Sequence, residues 1–216
     1  RGLRWLELRV HGIASHGARP YLGVNAISQC GKIMEALEKI NFNDKNPLFE
    51  KEIEGTTISV NKIHGGIQNN IIPEECRMVL DCRMMPGQEI EEVYQQIQNA
   101  AKQAVDRRCQ LEYNNLGNGW DSFVINEKEP IVQIMQNAYE KVHGQKTKLR
   151  GKSGCTDASY IYNHNIPVVV FGPGDPNESH RVNEKVCVKN IEEMVEILCE
   201  SAKLFMQKEN IMTNKN

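Results

Sequence analysis

Residues 56–87, TTISVNKIHGGIQNNIIPEECRMVLDCRMMPG, decide the fold. Two stretches within them, Thr56 to Ile63 and Cys76 to Met85, have the apolar and β-branched content of strands; Ile58, Val60 and Ile63 carry it in the first. Gly65-Gly66 turns the chain between them and Pro73 breaks it. Upstream, residues 3–13 set Trp5, Leu6, Leu8, Val10 and Ile13 among Arg4, Glu7 and Arg9, a mostly alternating pattern that predicts a half-buried strand. A turn rich in Gly and Pro follows. Between Val24 and Ile40, Ile27, Ile33, Met34, Leu37 and Ile40 recur at helical spacing, which predicts an amphipathic helix covering one sheet face. Residues 43–51 are expected to loop back. Downstream, Val93, Ile97, Ala100, Ala101 and Ala104 form the stripe of a second helix over 89–107, and residues 109–113 read as a fourth strand. The order strand, helix, strand, strand, helix, strand is that of the split ferredoxin-like unit, one open sheet with both helices on one face.

After Leu116-Gly117-Asn118-Gly119 the pattern changes to α/β alternation. A short strand near Phe123, a helix over 130–142, a strand over 146–150, a helix following Thr156, a strand over 167–171 and a closing helix over 189–206 are expected. The uninterrupted Val168, Val169, Val170 and Phe171 predict burial on both faces, as at the centre of a mixed sheet, and about 100 residues is thin for such a sheet. The polar tail after Met206 is expected to fray.

The 216 residues suffice for one sizeable core or two modest ones. A hydrophobic content of 40% and a charged content of 25% exclude long disorder and collagen-like or membrane-spanning classes. With 26 basic against 28 acidic residues there is no basic field to select nucleic acid or anionic membranes, so a small-molecule substrate fits better. Seven cysteines, odd in number and without a C-x-x-C pair, indicate neither a disulfide framework nor a zinc ribbon; reduced thiols in a cytoplasm are the expectation. No apolar run approaches the roughly 20 residues that span a bilayer, and no charged-then-apolar signal segment opens the chain. The chain opens on Arg1 rather than Met, with a strand starting almost at once, so a start in mid-protein is expected.

Three polar clusters lie beside Gly and Pro at predicted strand ends, where α/β proteins place their sites. Ser15, His16, Gly17, Ala18, Arg19, Pro20, Gly23 and Asn25 form the first. His16 reads either as a solvated loop residue or as a functional imidazole, and Asn25 as a helix cap. In the second, Gly65, Gly66, Asn70, Ile71, Ile72 and Pro73 lead to Asp81, Cys82 and Arg83. It reads as a tight turn with a strand-end ion pair, or as a guanidinium placed to fork onto a substrate carboxylate, which Lys cannot do. The third runs Ser153, Gly154, Cys155, Thr156, Asp157, then Gly172, Pro173, Gly174, Asp175, Ser179, His180, Asn183 and Glu184. Backbone amides at the helix start could hold an anion, and His180 could bind a metal or lie on the surface near Glu184.

In this order and spacing, Gly12 to Asn25 within HGIASHGARPYLGVNA, Gly65 to Pro73 with Asp81 to Arg83, Ser153 to Asp157, and FGPGDPNESHRVNE at 171–184 resemble one family. It is that of acetylornithine deacetylase, succinyl-diaminopimelate desuccinylase, glutamate-releasing carboxypeptidases and aminoacylases. The resemblance implies an α/β chain in which residues 3–114 are a ferredoxin-like lid that makes a homodimer. Residues 115–207 are then the C-terminal part of a catalytic domain. It implies hydrolysis of N-acyl amino acids or small peptides with two divalent metals, zinc or else cobalt or manganese. His180 matches the last metal ligand, and His16 the lid histidine that polarises the scissile carbonyl and usually reaches into the neighbouring subunit's site. Asn70 matches a substrate-contacting asparagine, Arg83 the arginine that pairs with the α-carboxylate, and Gly154, Cys155 and Thr156 the pocket loop. The family's upstream His-x-Asp, bridging Asp and Glu-Glu pair have no counterpart before the lid, and His11, His64, His143 and His164 occupy no ligand spacing. The chain by itself is therefore expected to be metal-poor and inactive. Two other classes compete: a non-catalytic dimerisation or binding module, and a thiol enzyme using Cys155 ahead of a helix.

Overall fold

The computed structural model describes residues 1–42, 44, 53 and 55–213, with side chains as far as residue 207. The loop expected over 43–51 lies outside the described residues apart from position 44. The chain forms two compact units, Arg1–Phe123 with Gly151–Ser159, and Val124–Arg150 with Tyr160 onward.

In the first unit, β1 (Gly2–His11) pairs antiparallel with both β5 (Glu75–Met84) and β6 (Gln110–Asn115), and β5 pairs with β3 (Thr57–Gly65). The four-stranded order is β3-β5-β1-β6. Helices α1 (Ala26–Leu37) and α2 (Ile90–Ala104) supply the two crossovers, so the ferredoxin-like order read from the sequence is the order observed. A period of two decides which side chains enter the core. Leu6, Leu8 and Val10 of β1 and Cys76, Met78, Leu80 and Cys82 of β5 are buried in one cluster with Ala26, Cys30, Ile33 and Leu37 of α1 and Val93, Ile97 and Ala101 of α2. The alternate residues of β1 and β5, Glu7, Arg9, Asp81 and Arg83 among them, take the other face, where Glu7 accepts from Arg9 and Asp81 from Arg83.

Asn25 caps α1, its side-chain oxygen accepting from the amides of Ile27 (3.0 Å) and Ser28 (3.2 Å), as its position in the sequence suggests. In β3 the register slips between Val60 and Lys62, leaving Asn61 as an extra residue opposite β5. A second, two-stranded ribbon is built from β2 (Ser15–His16) and β4 (Ile71–Ile72), with Ser15 opposite Ile72 and His16 opposite Ile71.

The second unit packs α3 (Pro130–His143) against α5 (Val188–Thr213), with Met135, Ala138 and Ile197 at the centre and Val169, Phe171 and Leu204 against them. A short helix, α4 (Ala158–Asn163), follows Thr156. Three expectations are corrected. No strand forms near Phe123, over 146–150 or over 167–171; those stretches are irregular, and near Phe123 the backbone instead makes an isolated bridge between Trp120 and Leu3. An apolar run extends into a strand only against a hydrogen-bonding neighbour, and among the described residues none pairs with 167–171. Val170 is accordingly 48% exposed rather than buried on both faces. The closing helix also continues past Met206 to Thr213 instead of stopping at the polar tail.

Candidate functional site

The first sequence cluster is pinned at both ends. The Gly12 amide donates to Glu74 O (2.7 Å), Ile13 and Val24 exchange backbone hydrogen bonds (3.0 and 2.9 Å), and the Ala26 amide donates to Pro73 O (2.9 Å). A Cβ at Gly12 would sit 2.1 Å from the Val24 carbonyl oxygen, so the loop closes only around glycine. The ribbon of β2 and β4 then projects from the end of the main sheet where β5 begins.

His16 stands on that ribbon, exposed, and its Nδ1 accepts from the Ala18 amide at 3.0 Å. That bond places the proton of the neutral ring on Nε2, which is left as an outward donor. Asn70 lies one position along, against Gly17: its carbonyl accepts from the Gly17 amide at 2.7 Å, and its side chain is exposed. Two of the residues singled out from sequence, 54 positions apart, are thus neighbours on one ribbon.

Arg83 is near the far end of β5. Its Nε and Nη2 fork onto Asp81 Oδ1 (2.6 Å) and Oδ2 (3.0 Å), and its Nη1 donates to Cys155 Sγ at 3.3 Å. Partial burial works against the guanidinium charge, but the Asp81 carboxylate outweighs it and raises Arg83 above its ordinary range. The second and third clusters therefore meet here through Arg83 and Cys155. Gly154 and Thr156 flank Cys155 in the same loop, which is half-buried at all three positions. The ion pair foreseen at Asp81 and Arg83 is present, and it coexists with the loop contact.

Reading by motif passed over the tryptophans. Asp81, only 7% exposed, also accepts from Trp5 Nε1 (3.1 Å). The Trp5 ring packs edge-on against Trp120 (centroids 5.8 Å apart, planes at 83°), and Trp120 Nε1 donates to Asp157 Oδ1 (3.3 Å) just after the loop. The available signal was that Trp5 and Trp120 are the only tryptophans of the chain.

His180 belongs to the second unit. Asp175 caps a 3₁₀ turn over Pro176–Glu178, and His180 follows in the left-handed region (φ 63°), its amide donating to Glu184 Oε2 at 3.2 Å. The imidazole is exposed, with Glu184 serving the backbone rather than the ring. Among the described residues no three His, Cys, Asp or Glu side chains gather as a metal-binding group, so His180 stands as a single prospective ligand.

Residues 1–109 match the family model described as the peptidase dimerisation domain. A putative succinyl-diaminopimelate desuccinylase of Mycobacterium tuberculosis is 29% identical over 202 residues, 92% of this chain and 52% of that protein. An acetylornithine deacetylase of Myxococcus xanthus is 27% identical over 199 residues, 88% of this chain and 50% of that protein. The chain therefore spans about half the length of the curated relatives it matches. Among solved structures, the aminopeptidase PepT of Bacillus cereus superposes with a TM-score of 0.68 at 23% identity over 93% of this chain and 51% of that one. The di-peptidase Dug1p of Saccharomyces cerevisiae gives 0.73 at 13% identity over 93% and 53%. These likenesses are to the fold.

Proposed function

The chain belongs to the peptidase dimerisation domain family of the M20 enzymes, and from that premise we propose that it is part of a metal-dependent hydrolase that cleaves the amide bond of N-acyl amino acids or small peptides. Residues 3–114 are its lid, residues 115–207 the C-terminal part of its catalytic domain, and two chains pair through the lid. A cytoplasmic setting accords with seven free cysteines; no helix among the described residues is long and apolar enough to cross a membrane.

One observation carries the reading. The ribbon with His16 and Asn70 leaves the sheet where β5 begins, whereas Arg83 is eight residues further along that strand, about 26 Å away at ~3.3 Å per residue. An acyl amino acid or dipeptide is about 10 Å long. A substrate held by Arg83 and polarised by His16 is then held by residues of two chains, which is why the lid also makes the dimer. Arg83, with Gly154, Cys155 and Thr156 beside it, receives the α-carboxylate; the outward Nε2 proton of His16 meets the oxyanion that develops on the scissile carbonyl, with Asn70 next to it on the substrate.

The metal needs a separate accounting. A divalent pair, zinc or else cobalt or manganese, would polarise the carbonyl and supply an activated water. A single imidazole does not make a tight site, so the described residues do not fit a metal pair on their own, and His180 would serve as one ligand of several. The chain by itself is accordingly proposed to bind metal weakly and to be inactive.

Mixing tests the shared site. His16→Ala and Arg83→Ala are each placed in a protein that joins this chain to the remaining catalytic residues, and the two metal-loaded variants, each inactive alone, are combined and allowed to exchange subunits. Half of the resulting dimers are mixed and carry one intact site in two, so about a quarter of wild-type hydrolysis should return. No recovery, with both variants folded and dimeric, removes the shared-site reading. The lone metal-ligand candidate favours one other reading, a non-catalytic dimerisation module: such a chain self-associates but never restores hydrolysis to a protein containing the remaining catalytic residues.

A further inference from the structure

Arg83 carries five N–H groups, and among the described residues three are engaged: Nε and one Nη2 hydrogen on Asp81, one Nη1 hydrogen on Cys155. One hydrogen on each Nη remains, free to donate to a further acceptor such as a carboxylate. Whether that pair is aimed or left to swing depends on what holds the other side of the guanidinium. Asp81 holds it, and Asp81 is itself held: it is buried, and Trp5 Nε1 donates to the same Oδ2 that accepts from Arg83 Nη2. Trp5 packs against Trp120, and Trp120 donates to Asp157, two residues beyond Cys155. The contacts close on themselves: Asp81, Arg83, Cys155, Asp157, Trp120, Trp5 and back to Asp81, all within the first unit.

We propose that Asp81 and Trp5 are positioning residues for Arg83, and that Trp120 and Asp157 fasten the Gly154 to Thr156 loop to the same ring, so that anchor and pocket loop are presented to the substrate carboxylate as one preset surface. The inference rests on the assignment of Arg83 as carboxylate anchor. Its physical basis is preorganisation: a guanidinium fixed before the ligand arrives loses less rotamer freedom on binding, and a planar fork rewards correct aim more than a point charge does. A neutral isostere at Asp81 would keep the volume but give up the charge-assisted fork.

The ring contains both tryptophans of the chain, so emission reports on it directly. The full chain is titrated with N-acetyl-L-alanine and with its uncharged amide, and the ratio of the two affinities is read. Wild type should prefer the carboxylate, and Arg83→Ala should lose that preference. Asp81→Asn should weaken the carboxylate about tenfold with little effect on the amide. Trp5→Phe, which keeps an aromatic ring but deletes the donor to Asp81, should shift the ratio in the same direction by about threefold and covers the case in which Asp81→Asn fails to fold. Loss of both ligands in equal measure in Asp81→Asn or Trp5→Phe marks a merely structural role and overturns the inference. So does a wild-type ratio in both variants while Arg83→Ala loses its preference, an outcome that leaves the anchor standing. A wild-type chain indifferent to the carboxylate, or an Arg83→Ala chain that keeps the preference, overturns the anchor and the inference with it.

Discussion

His16 is held by its own backbone: the Ala18 amide occupies Nδ1, and the ring has one proton to offer, on Nε2, outward. A donor aimed where negative charge develops contributes more to the transition state than to the ground state, and removing one typically costs about 10² or more in rate. His16→Ala should therefore lower kcat of the metal-loaded enzyme at least about 10²-fold while the bound metal, counted by elemental analysis, stays at the wild-type level. Loss of metal together with activity would place His16 among the ligands instead. At this scale the sequence was informative where chemistry is local. A His, two glycines and a capping Asn within ten residues marked a built loop, and Asn25 does cap. It was silent where chemistry is assembled from afar. Cys155 and Arg83 are 72 residues apart, and no spacing rule brings a thiol onto a guanidinium. The Trp5 to Asp81 bond was likewise hidden, since an aromatic on an alternating strand reads equally well as surface or core.

Among the elements, the ladders of the first unit were legible because each strand carries its own pattern. Leu6, Leu8 and Val10 alternate with Glu7 and Arg9, and a one-residue slip would turn that whole set outward. The strand expected over 167–171 had no such internal check. Four apolar residues in a row announce burial but name no partner, and pairing is a property of two segments. Loop closure depends on single atoms. Gly12→Ala places a methyl 2.1 Å from the Val24 carbonyl, so the ribbon must shift or the β1 end must open. Urea unfolding should show a loss on the order of 1 to 3 kcal/mol. An unchanged midpoint would mean that the loop is more pliant than its hydrogen bonds imply.

For the molecule as a whole, the first unit buries groups that would ionise in the unfolded chain. Burial pushes the Cys82 thiol and the Tyr94 and Tyr113 phenols up to about 12, and raises Cys30 and Cys76 as well. Above about pH 9 the unfolded chain releases these protons and the folded one keeps them, so the folded state binds more protons and stability falls as pH rises. Melting followed by circular dichroism should drop on the order of 5 °C or more between pH 8 and pH 11. A flat profile would show the thiols and phenols to be open to water. The two edges of the sheet differ in a way that bears on assembly. Along β3 the extra Asn61 kinks the outer strand and Lys62 stands beside it, whereas β6 pairs with β1 in unbroken register. A kinked, charged border is a poor template for another chain. A sheet with two straight borders can add neighbours without end, as fibres do. A sheet with one can be extended only once, border to like border, and the product has none left to offer, so growth stops at two.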